Sequence, residues 1–396
     1  MSGQSCVKLS SLGAALAWID ASVHPLEGED APLDEAIGSV LTREIRAERP
    51  IPHSNCAALD GFAVAADQTV GAGSYNPLSL PRIELSAGEA LPSGMDAVVP
   101  IEHGAPDGAG NIVVVDTWAA GSNVDYRGAV VDAGTVLMPA GTVVGRHHVG
   151  VLAAAGFARL PVVRRPRVRI VQSGLPRAGA ADSNGPMLST LIERDGGTAL
   201  ERGAISHGRS ELAEALGADG SDIVLVVGGT GPGPEDESAA ALAAAGEAAI
   251  HGVALKPGET ARLGLTAAGV PIVLLPGSPA ACLCCYELLA GRAIRRLGGH
   301  DASLPYRSRM MMTARKIVSG IGMTEIVPVR YQGENSVEPI ASFSEIGLMA
   351  AASADGFVIV PETSEGYPPG ASVTVYLYDD RFDQIAPAYP RRVGHS

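Results

Sequence analysis

The sequence is poor in positively charged residues. It contains 29 Lys and Arg residues against 43 Asp and Glu residues, which gives a formal net charge of −14 at pH 7. Proteins that bind nucleic acid depend on Lys and Arg to neutralise phosphates. The composition therefore argues against a nucleic acid partner, and we expect any anionic ligand to be bound by a local arrangement of residues.

Long uncharged apolar runs are also lacking. No segment reaches the roughly 18 to 20 apolar residues that a membrane span needs, and the opening MSGQSCVKLS has neither the charged start nor the cleavage pattern of a signal peptide. We therefore expect no membrane association and a cytoplasmic location. The length of 396 residues predicts two to four domains, because it exceeds what one hydrophobic core normally serves. Hydrophobic residues make up 46% and charged residues 18%, the balance of a globular protein.

The five cysteines lack the arrangement of a disulfide framework. Cys6 and Cys56 stand alone, and the others crowd one apolar stretch: Cys282, Cys284 and Cys285. No zinc-like spacing is present, and we predict buried structural thiols. The adjacent His147 and His148 have no carboxylate or cysteine in register, which favours a structural or solvent-exposed role over metal binding.

The first two domains are predicted from helical spacing and from Pro and Gly punctuation. Apolar residues recur at helical intervals over residues 10–24 and 33–45, which predicts two amphipathic helices. We assign residues 1–45 and 146–167 to a helical linker or dimerisation domain. Short β-rich runs separated by Pro and Gly predict a β-rich domain over residues 46–145.

The second half predicts a doubly wound α/β domain over residues 168–300. Apolar strands such as RVRIVQSG, DIVLVVGG and PIVLLPGSP alternate with helical patterns, one of them over residues 237–249. Continuous apolar strands between helices indicate a parallel sheet covered on both faces. Alternating strands return afterwards and predict a small C-terminal β domain over residues 301–384.

Three glycine-bearing turns follow predicted strands of the α/β domain. In an open α/β sheet, ligands bind beyond the carboxyl ends of the strands, where glycine turns and helix N-termini suit an anion such as phosphate. One such turn alone is commonly only a tight connection, but three in one domain favour a binding site. Its candidate residues are Ser173, Gly174, Gly228, Gly229, Gly231, Gly233, Pro276, Gly277, Ser278 and Pro279.

Two familiar phosphate motifs are absent, and three charged residues stand out. Neither GxxxxGK[ST] nor a helix-opening GxGxxG with a following acid occurs, so a P-loop and a dinucleotide fold are unsupported. Asp236 follows the glycine loop, where it could cap a helix or bind Mg²⁺ beside a phosphate. Lys256 precedes a Pro-Gly turn and is either a solvated lysine or an anion ligand. Asp60, before Gly61, is by itself only a turn signal.

Taken in order, these stretches resemble the molybdopterin molybdotransferase family, the MoeA and gephyrin E-domain proteins. PHSNCAALDGFAV resembles the family's P-x-x-x-S-A-M-D-G-Y-A-V, and VGGTGPGPEDES its S-G-G-V-S-x-G-x-x-D. HGVALKPGET is similar to K-x-x-I-K-P-G-K-P, and LLPGSPAA to L-P-G-N-P-V-S. The resemblance covers almost the whole chain, and the ordered series is more specific than any one piece.

The resemblance implies a reaction, a fold and a set of site residues. A multidomain α/β subunit with a molybdopterin-binding-like domain would form a homodimer and convert adenylylated molybdopterin and molybdate to molybdenum cofactor, releasing AMP, with Mg²⁺ or a similar divalent cation. Asp60, Asp236 and Lys256 would be catalytic, with Asp236 as metal ligand and Asp60 supplied by the partner subunit. Asp182 and Asn184 would join the glycine turns in binding the substrate.

Several charged positions of the family pattern are replaced. The family's G-E-D corresponds here to Gly128-Ala129-Val130, and its S-T-G-D-E to residues 172–176. Two lysines of the pattern are replaced by Gly252 and Glu259, and residues also differ at polar or glycine positions of the pattern: Ala87, Ser344, Glu345, Ile346, Met349 and Ala350. Because charges act strongly in a water-poor cleft, weaker catalysis and metal binding are expected than in a standard member.

Three functions remain open at this point. The first is a divergent molybdopterin molybdotransferase that turns over substrate. The second is a binding protein that holds molybdopterin or finished cofactor and delivers it to a recipient molybdoenzyme without catalysing insertion. The third is a scaffold that neither binds nor reacts.

Overall fold

The computed structural model describes residues 9–173, 181–200, 203–205, 209–231 and 237–378, and the chain divides into two compact units. One unit spans Gly28–Val162, and the other combines the residues before and after it. The second unit begins with helix α1 (Leu12–Ser22), whose first turn is capped by Ser11, since its Oγ accepts a hydrogen bond from Ala14 N at 3.1 Å. The first predicted helix is therefore confirmed.

The unit of residues 28–162 is built from short strands around small apolar cores. Its elements are β1 (Gly28–Pro32), β2 (Ile45–Arg46), β3 (Cys56–Ala57), β4 (Gly61–Val64), β5 (Leu78–Pro81), β6 (Glu84–Leu85), β7 (Ala97–Pro100), β8 (Gly104–Pro106), β9 (Asn111–Val114), β10 (Val124–Asp125), β11 (Val136–Met138), α2 (Val149–Ala154) and β12 (Arg159–Val163). Strand β4 pairs between β6 and β7, and β9 pairs between β5 and β8. Phe62, Val99 and Ile112 pack in the core between them.

The helix predicted over residues 33–45 is wrong. The segment forms turns and then single bridges, in which Val40 pairs with Val143 and Leu41 with Val162. Gly38 has a positive φ of 86°, and its N–H donates to Val144 O. Long-range pairing thus overrides a local pattern whose apolar residues fall at helical spacing, because these residues bury themselves against another part of the chain.

A seven-stranded sheet forms the α/β domain of the other unit. Its elements are β13 (Arg167–Ser173), α3 (Asn184–Arg194), β14 (Thr198–Ala199), β15 (Gly203–Ile205), α4 (Arg209–Gly217), β16 (Ile223–Val227), α5 (Ser238–Ala245), β17 (Gly246–Ile250), β18 (Leu255–Lys256), β19 (Arg262–Thr266), β20 (Pro271–Leu275), α6 (Pro279–Cys285) and α7 (Gly291–Leu297). The strand order is β14-β13-β16-β20-β19-β17, with β15 beside β13 and β18 outside this sheet. Strands β13, β16 and β20 are parallel neighbours, as their apolar sequences predict.

Both faces of this sheet are covered, which confirms the doubly wound architecture. One face packs on α1, α3, α6 and α7, and the other on α4 and α5. A π-helical segment, Tyr286–Ala290, joins α6 to α7. Among the helices in the described ranges, none combines the length and apolarity required to cross a membrane.

One edge of the sheet differs from the prediction. Strands β19 and β17 run antiparallel to their neighbours, and the helix predicted over 237–249 ends at Ala245. A side chain at Gly246 would collide with the backbone of Leu265, so the two strands approach closely there. The alanine-rich sequence is equally typical of a helix, and only strand pairing decides the outcome.

The C-terminal domain is a β domain, as predicted. Its elements are β21 (Ser308–Thr313), β22 (Ile317–Val318), β23 (Thr324–Tyr331), β24 (Ser336–Pro339), α8 (Phe343–Ile346), α9 (Met349–Ser353), β25 (Gly356–Val360), β26 (Gly366–Tyr367) and β27 (Ser372–Leu377). Its main sheet has the order β18-β23-β24-β21-β27-β25, and β25 also pairs with β23. Strand β18 therefore connects the α/β domain to this sheet.

Candidate functional site

The three glycine-bearing turns lie side by side at the carboxyl edge of the α/β sheet. Ser173 ends β13, Gly228 follows β16 and Gly277 follows β20, and these strands are neighbours. Gly228 N donates to Leu275 O at 2.9 Å, and a Cβ on Gly277 would lie 3.4 Å from Gly228 Cα. Since parallel strands place their carboxyl ends at one edge, the turns form a single cluster.

Gly229 is the most restricted residue of this cluster. Its φ is +63°, and a Cβ there would lie 2.5 Å from Ser238 Oγ and 2.7 Å from Ser173 Oγ. Ser238 Oγ itself donates to Gly228 O at 2.9 Å, which ties the loop to the start of α5. Only glycine combines this backbone conformation with the close approach of two hydroxyls.

The start of α3 borders the same turns. Asp182 Oδ1 accepts a hydrogen bond from Gly185 N at 2.9 Å, while Asn184 Nδ2 donates to Gly277 O at 3.0 Å. Asn184 Oδ1 is buried and has no hydrogen-bond partner within the part of the chain that the structure describes. A buried acceptor without a donor is costly, so this oxygen is suited to a donor group of a ligand or to water.

The turn that carries Lys256 contacts the glycine loop. Thr260 Oγ1 lies 2.9 Å from Thr230 Oγ1, and Thr230 is buried. Lys256 Nζ lies 3.3 Å from Glu325 Oε1, and the lysine side chain keeps 43% of its exposure. The lysine turn therefore contacts the cluster of glycine turns. The contact is made by Thr230 and Thr260, two residues that the sequence did not predict for the site.

Cys285 packs beneath this lysine turn. Its Sγ donates to Gly258 O at 3.6 Å, and a Cβ on Gly258 would lie 2.5 Å from that sulfur. Burial raises the pKa of the Cys285 thiol well above its ordinary value, so the group is protonated and acts as a donor. Cys282, Cys284 and Cys285 are all buried free thiols, as the sequence predicts.

Asp60 belongs to the unit of residues 28–162. Its side chain is exposed, and Oδ1 accepts a hydrogen bond from Ala87 N at 2.8 Å. Asp60 thus contacts the start of the segment AGEALPSG, in which Ala87 replaces the family's threonine. The catalytic role of Asp60 stays a prediction.

Three predicted site residues, Gly174, Gly233 and Asp236, lie outside the described residues. Among the residues that are described, no three His, Cys, Asp or Glu side chains converge to hold a metal ion. Around the turns, the described oxygens belong to hydroxyls, backbone carbonyls, the Asn184 amide and one carboxylate, Asp182, whose Oδ1 is engaged by Gly185 N. This donor set does not fit Mg²⁺, which prefers carboxylate and phosphate oxygens, and the prediction of Mg²⁺ depends on Asp236.

The two adjacent histidines contact each other. Their ring centroids are 3.9 Å apart, and His148 Nδ1 accepts a hydrogen bond from Gly145 N at 3.0 Å. His148 therefore closes a local turn, in agreement with the structural role predicted for it.

Sequence reasoning did not find Thr230, Thr260, Ser238 or Glu325. The first two are threonines where the family pattern has valine and proline, and that paired departure was a usable signal. Glu325 stands in TEIVPVR, where nothing local distinguishes it from any strand residue. Its relation to Lys256 arises only from the pairing of β18 with β23.

Three family models match the chain in sequence order. They are the MoeA N-terminal region (domains I and II) over residues 10–156, a probable molybdopterin binding domain over 169–296, and the MoeA C-terminal region (domain IV) over 311–378. This chain belongs to the MoeA family. The resemblance found in the sequence is thereby confirmed.

Known proteins extend the match to the whole MoeA fold. The molybdopterin molybdenumtransferase 2 of Mycobacterium tuberculosis is 28% identical over 385 residues, covering 87% of this chain and 94% of that protein. A putative molybdopterin biosynthesis protein of Methanocaldococcus jannaschii is 26% identical over 378 residues, covering 88% and 92%. The crystal structure of a molybdopterin biosynthesis MoeA protein from Pyrococcus horikosii matches with a TM-score of 0.73 and 25% identity, covering 94% of this chain and 100% of that one.

The charge replacements of this MoeA-family chain have clear structural settings. Val130, at the position of a family acid, is 71% exposed. Glu259, at the position of a family lysine, accepts a hydrogen bond from Gly258 N at 3.1 Å through Oε2. Glu345 accepts hydrogen bonds from Ser342 N and Oγ at the start of α8. The replacements thus place one acid, Glu345, within electrostatic reach of Lys256 and an apolar side chain in solvent.

Proposed function

We propose that this MoeA-family chain inserts molybdate into adenylylated molybdopterin and releases AMP. The observation that supports it is the cluster of glycine turns after β13, β16 and β20, joined to the lysine turn by Thr230 and Thr260. Backbone N–H groups at such turns and at a helix N-terminus bind phosphate groups well. The relatives named molybdopterin molybdenumtransferase supply the reaction type.

Each part of the cluster has a distinct role in this proposal. The turns at Gly228–Gly229 and Gly277 would bind phosphate and pyrophosphate oxygens, and the glycines let the ligand approach the backbone. Asn184 Oδ1 would accept a hydrogen bond from a donor of the ligand, since it lacks one within the described chain. Lys256 would neutralise charge that develops on the departing phosphate.

The direct experiment is an assay of molybdate-dependent AMP release from adenylylated molybdopterin by the purified protein. Lys256→Met should lower kcat/KM by about tenfold or more, the usual size for loss of one transition-state charge contact. The matched control is Lys316→Met, because Lys316 is exposed and lies in the C-terminal domain between β21 and β22. No molybdate-dependent AMP release, with divalent cation present, would rule the transferase out.

A second candidate is a non-catalytic protein that binds molybdopterin or finished cofactor and delivers it to a recipient molybdoenzyme. It is favoured by the pairing of Lys256 with Glu325 and by Val130 in place of an acid. Both features reduce the charge available for catalysis while the backbone turns remain. Calorimetric titration with cofactor discriminates the two, because tight binding without AMP release supports delivery and absence of binding excludes it.

We further propose a cytoplasmic homodimer in which each subunit supplies Asp60 to the site of the other. Family resemblance supports this arrangement, and Asp60 is an exposed carboxylate fixed by Ala87 N. Size-exclusion chromatography with light scattering measures the subunit number. Mixing Asp60→Asn and Lys256→Met variants should restore part of the AMP release, whereas independent subunits would give no complementation.

A further inference from the structure

A buried glutamate faces the lysine of the proposed site. Lys256 Nζ and Glu325 Oε1 are 3.3 Å apart, and the Glu325 side chain is only 9% exposed. The second carboxylate oxygen, Oε2, accepts a hydrogen bond from Ser319 Oγ at 2.8 Å. Glu325 is therefore held from two sides, while the lysine keeps one side open to solvent.

The backbone fixes the two residues in register. Strand β18 pairs in parallel with β23, with Leu255 opposite Thr324 and Lys256 opposite Glu325. Directly opposed residues on neighbouring strands keep their side chains close together. The lysine turn thus begins at a strand of the C-terminal sheet. Glu325 stays beside Lys256 as long as β18 and β23 remain paired.

A second acid, Glu345, also interacts electrostatically with Lys256. The pKa of Glu345 is lowered, first by its hydrogen bonds from the Ser342 backbone and side chain and to a smaller extent by the charge of Lys256. Glu259 lies three residues beyond the lysine on the same turn. Lys256 therefore lies in an acidic neighbourhood, which is unusual for a residue that is to bind a free anion.

We infer that Glu325 is a specificity-determining residue that occupies Lys256 as an ion pair and thereby prevents small free oxyanions from binding there. Only a ligand that the glycine turns also hold then engages the lysine. The inference rests on the proposed function, in which Lys256 belongs to the ligand site, and it names the group that decides which anions reach it.

The physical argument is one of competing charges. A free oxyanion at Lys256 gains attraction to the ammonium but is repelled by the carboxylate only a few ångströms further away, so the net attraction is small. A ligand already bound at the turns has a high local concentration at the lysine. The weak attraction is therefore enough for such a ligand to contact Lys256, whereas it is too weak to bind molybdate, phosphate or sulfate from solution.

The experiment measures binding of inorganic molybdate by calorimetry, without any molybdopterin. Glu325→Gln keeps the shape and removes the charge, and it should bind molybdate about tenfold more tightly than the unsubstituted protein at low salt. The gain should shrink at about 1 M salt, where charges are screened. The double variant Glu325→Gln with Lys256→Met should lose the gain entirely.

The matched control is Glu338→Gln. Glu338 has the same 9% side-chain exposure, lies in the same sheet and pairs with Arg330 instead of a lysine of the site. It should leave molybdate binding unchanged. The inference is overturned if Glu325→Gln binds no more tightly than the unsubstituted protein, if Glu338→Gln gains equally, or if the gain survives loss of Lys256.

A measurement on the unsubstituted protein covers the case in which Glu325→Gln does not fold. The chain has three lysines, Lys8, Lys256 and Lys316, so reductive methylation with ¹³C-formaldehyde gives few lysine NMR signals. The inference predicts that the Lys256 signal does not move with millimolar molybdate, and a saturable shift overturns it. AMP release tests the proposed function separately, so either idea can fail alone.

Discussion

Thr230 Oγ1 and Thr260 Oγ1 lie 2.9 Å apart and connect the glycine loop after β16 to the turn after Lys256. Both residues are hydroxyls where the family pattern has apolar residues. The two departures therefore compensate each other, because Thr230 is buried and its hydroxyl is paired with that of the half-buried Thr260.

A double-mutant cycle tests that compensation. Thr260→Val should lower the free energy of unfolding by about 1–3 kcal/mol, since it removes the partner of the buried Thr230 hydroxyl. Thr230→Val should cost less, because the Thr260 hydroxyl that it leaves is only half-buried. The double variant should lose less than the sum of the two, and urea denaturation measures the coupling. Thr198→Val, at an exposed strand position, is the control and should change stability little. Additive losses would mean that the two hydroxyls do not interact.

Gly229→Ala should damage the turn cluster. The positive φ alone costs about 1–2 kcal/mol for a residue with a Cβ, and the new methyl would crowd Ser173 and Ser238 in addition. Gly269→Ala is the matched control, because Gly269 has a φ of +82° with nothing within 4 Å of its Cβ position. We expect a raised KM in the AMP-release assay only for Gly229→Ala. Equal effects of both variants on KM would show that crowding against Ser173 and Ser238 is not the cause.

Acid should weaken the α/β domain through Asp222. Burial would raise the pKa of this carboxyl, but the two hydrogen bonds from Arg164 and one from Arg167 N outweigh it, and the pKa is lowered from 3.8. Its stabilisation is therefore present above the unfolded pKa and is lost as the pH falls through the lower folded pKa.

Asp222→Asn is the corresponding variant. It should lose about 2 kcal/mol at pH 7, the range for charged hydrogen bonds, and its stability should depend less on pH below about 4. Urea titrations at pH 3 and pH 7 measure both quantities. Asp301→Asn controls for a carboxylate that is exposed and accepts a hydrogen bond from Ser303 N. Parallel pH profiles for Asp222→Asn and the unsubstituted protein would contradict the prediction.

The cysteines of α6 should resist alkylation in the folded protein. Burial raises the pKa of Cys282 to about 12 and those of Cys284 and Cys285 further, so almost no thiolate exists at pH 8. Iodoacetamide followed by peptide mass spectrometry should find them unmodified in buffer and modified in urea. Rapid labelling without denaturant would show that the helix opens locally.

Much of the α/β domain could be predicted because its strands are long and apolar. IVLVV and PIVLL are typical of buried parallel strands and fit few other structures. Because these strands are parallel, the turns that follow them must lie at the same edge of the sheet. GEAAI carries no such signal: its strand β17 exists only because β19 lies beside it. The same holds for residues 33–45, whose apolar side chains find partners far along the chain.

The candidate site divides in the same way. Ser173, Gly228 and Gly277 were predictable, since each lies at the end of an apolar strand or within two residues after it. Glu325 was not predictable, because 69 positions separate it from Lys256 in the sequence. Their contact also depends on β18 pairing with the C-terminal sheet instead of the α/β sheet. Side-chain contacts between paired strands that are far apart in the sequence have no local sequence signature.

The pairing of β18 with the C-terminal sheet has a thermodynamic consequence. The α/β domain contributes a strand to the C-terminal sheet, and Leu288 and Phe343 from the two domains share one apolar core. Neither domain can therefore complete its own packing, and we expect the two to unfold in a single cooperative transition. A fragment that stops before residue 300 would keep the glycine turns but would present its lysine on an unpaired strand end, without the partner that restrains its charge.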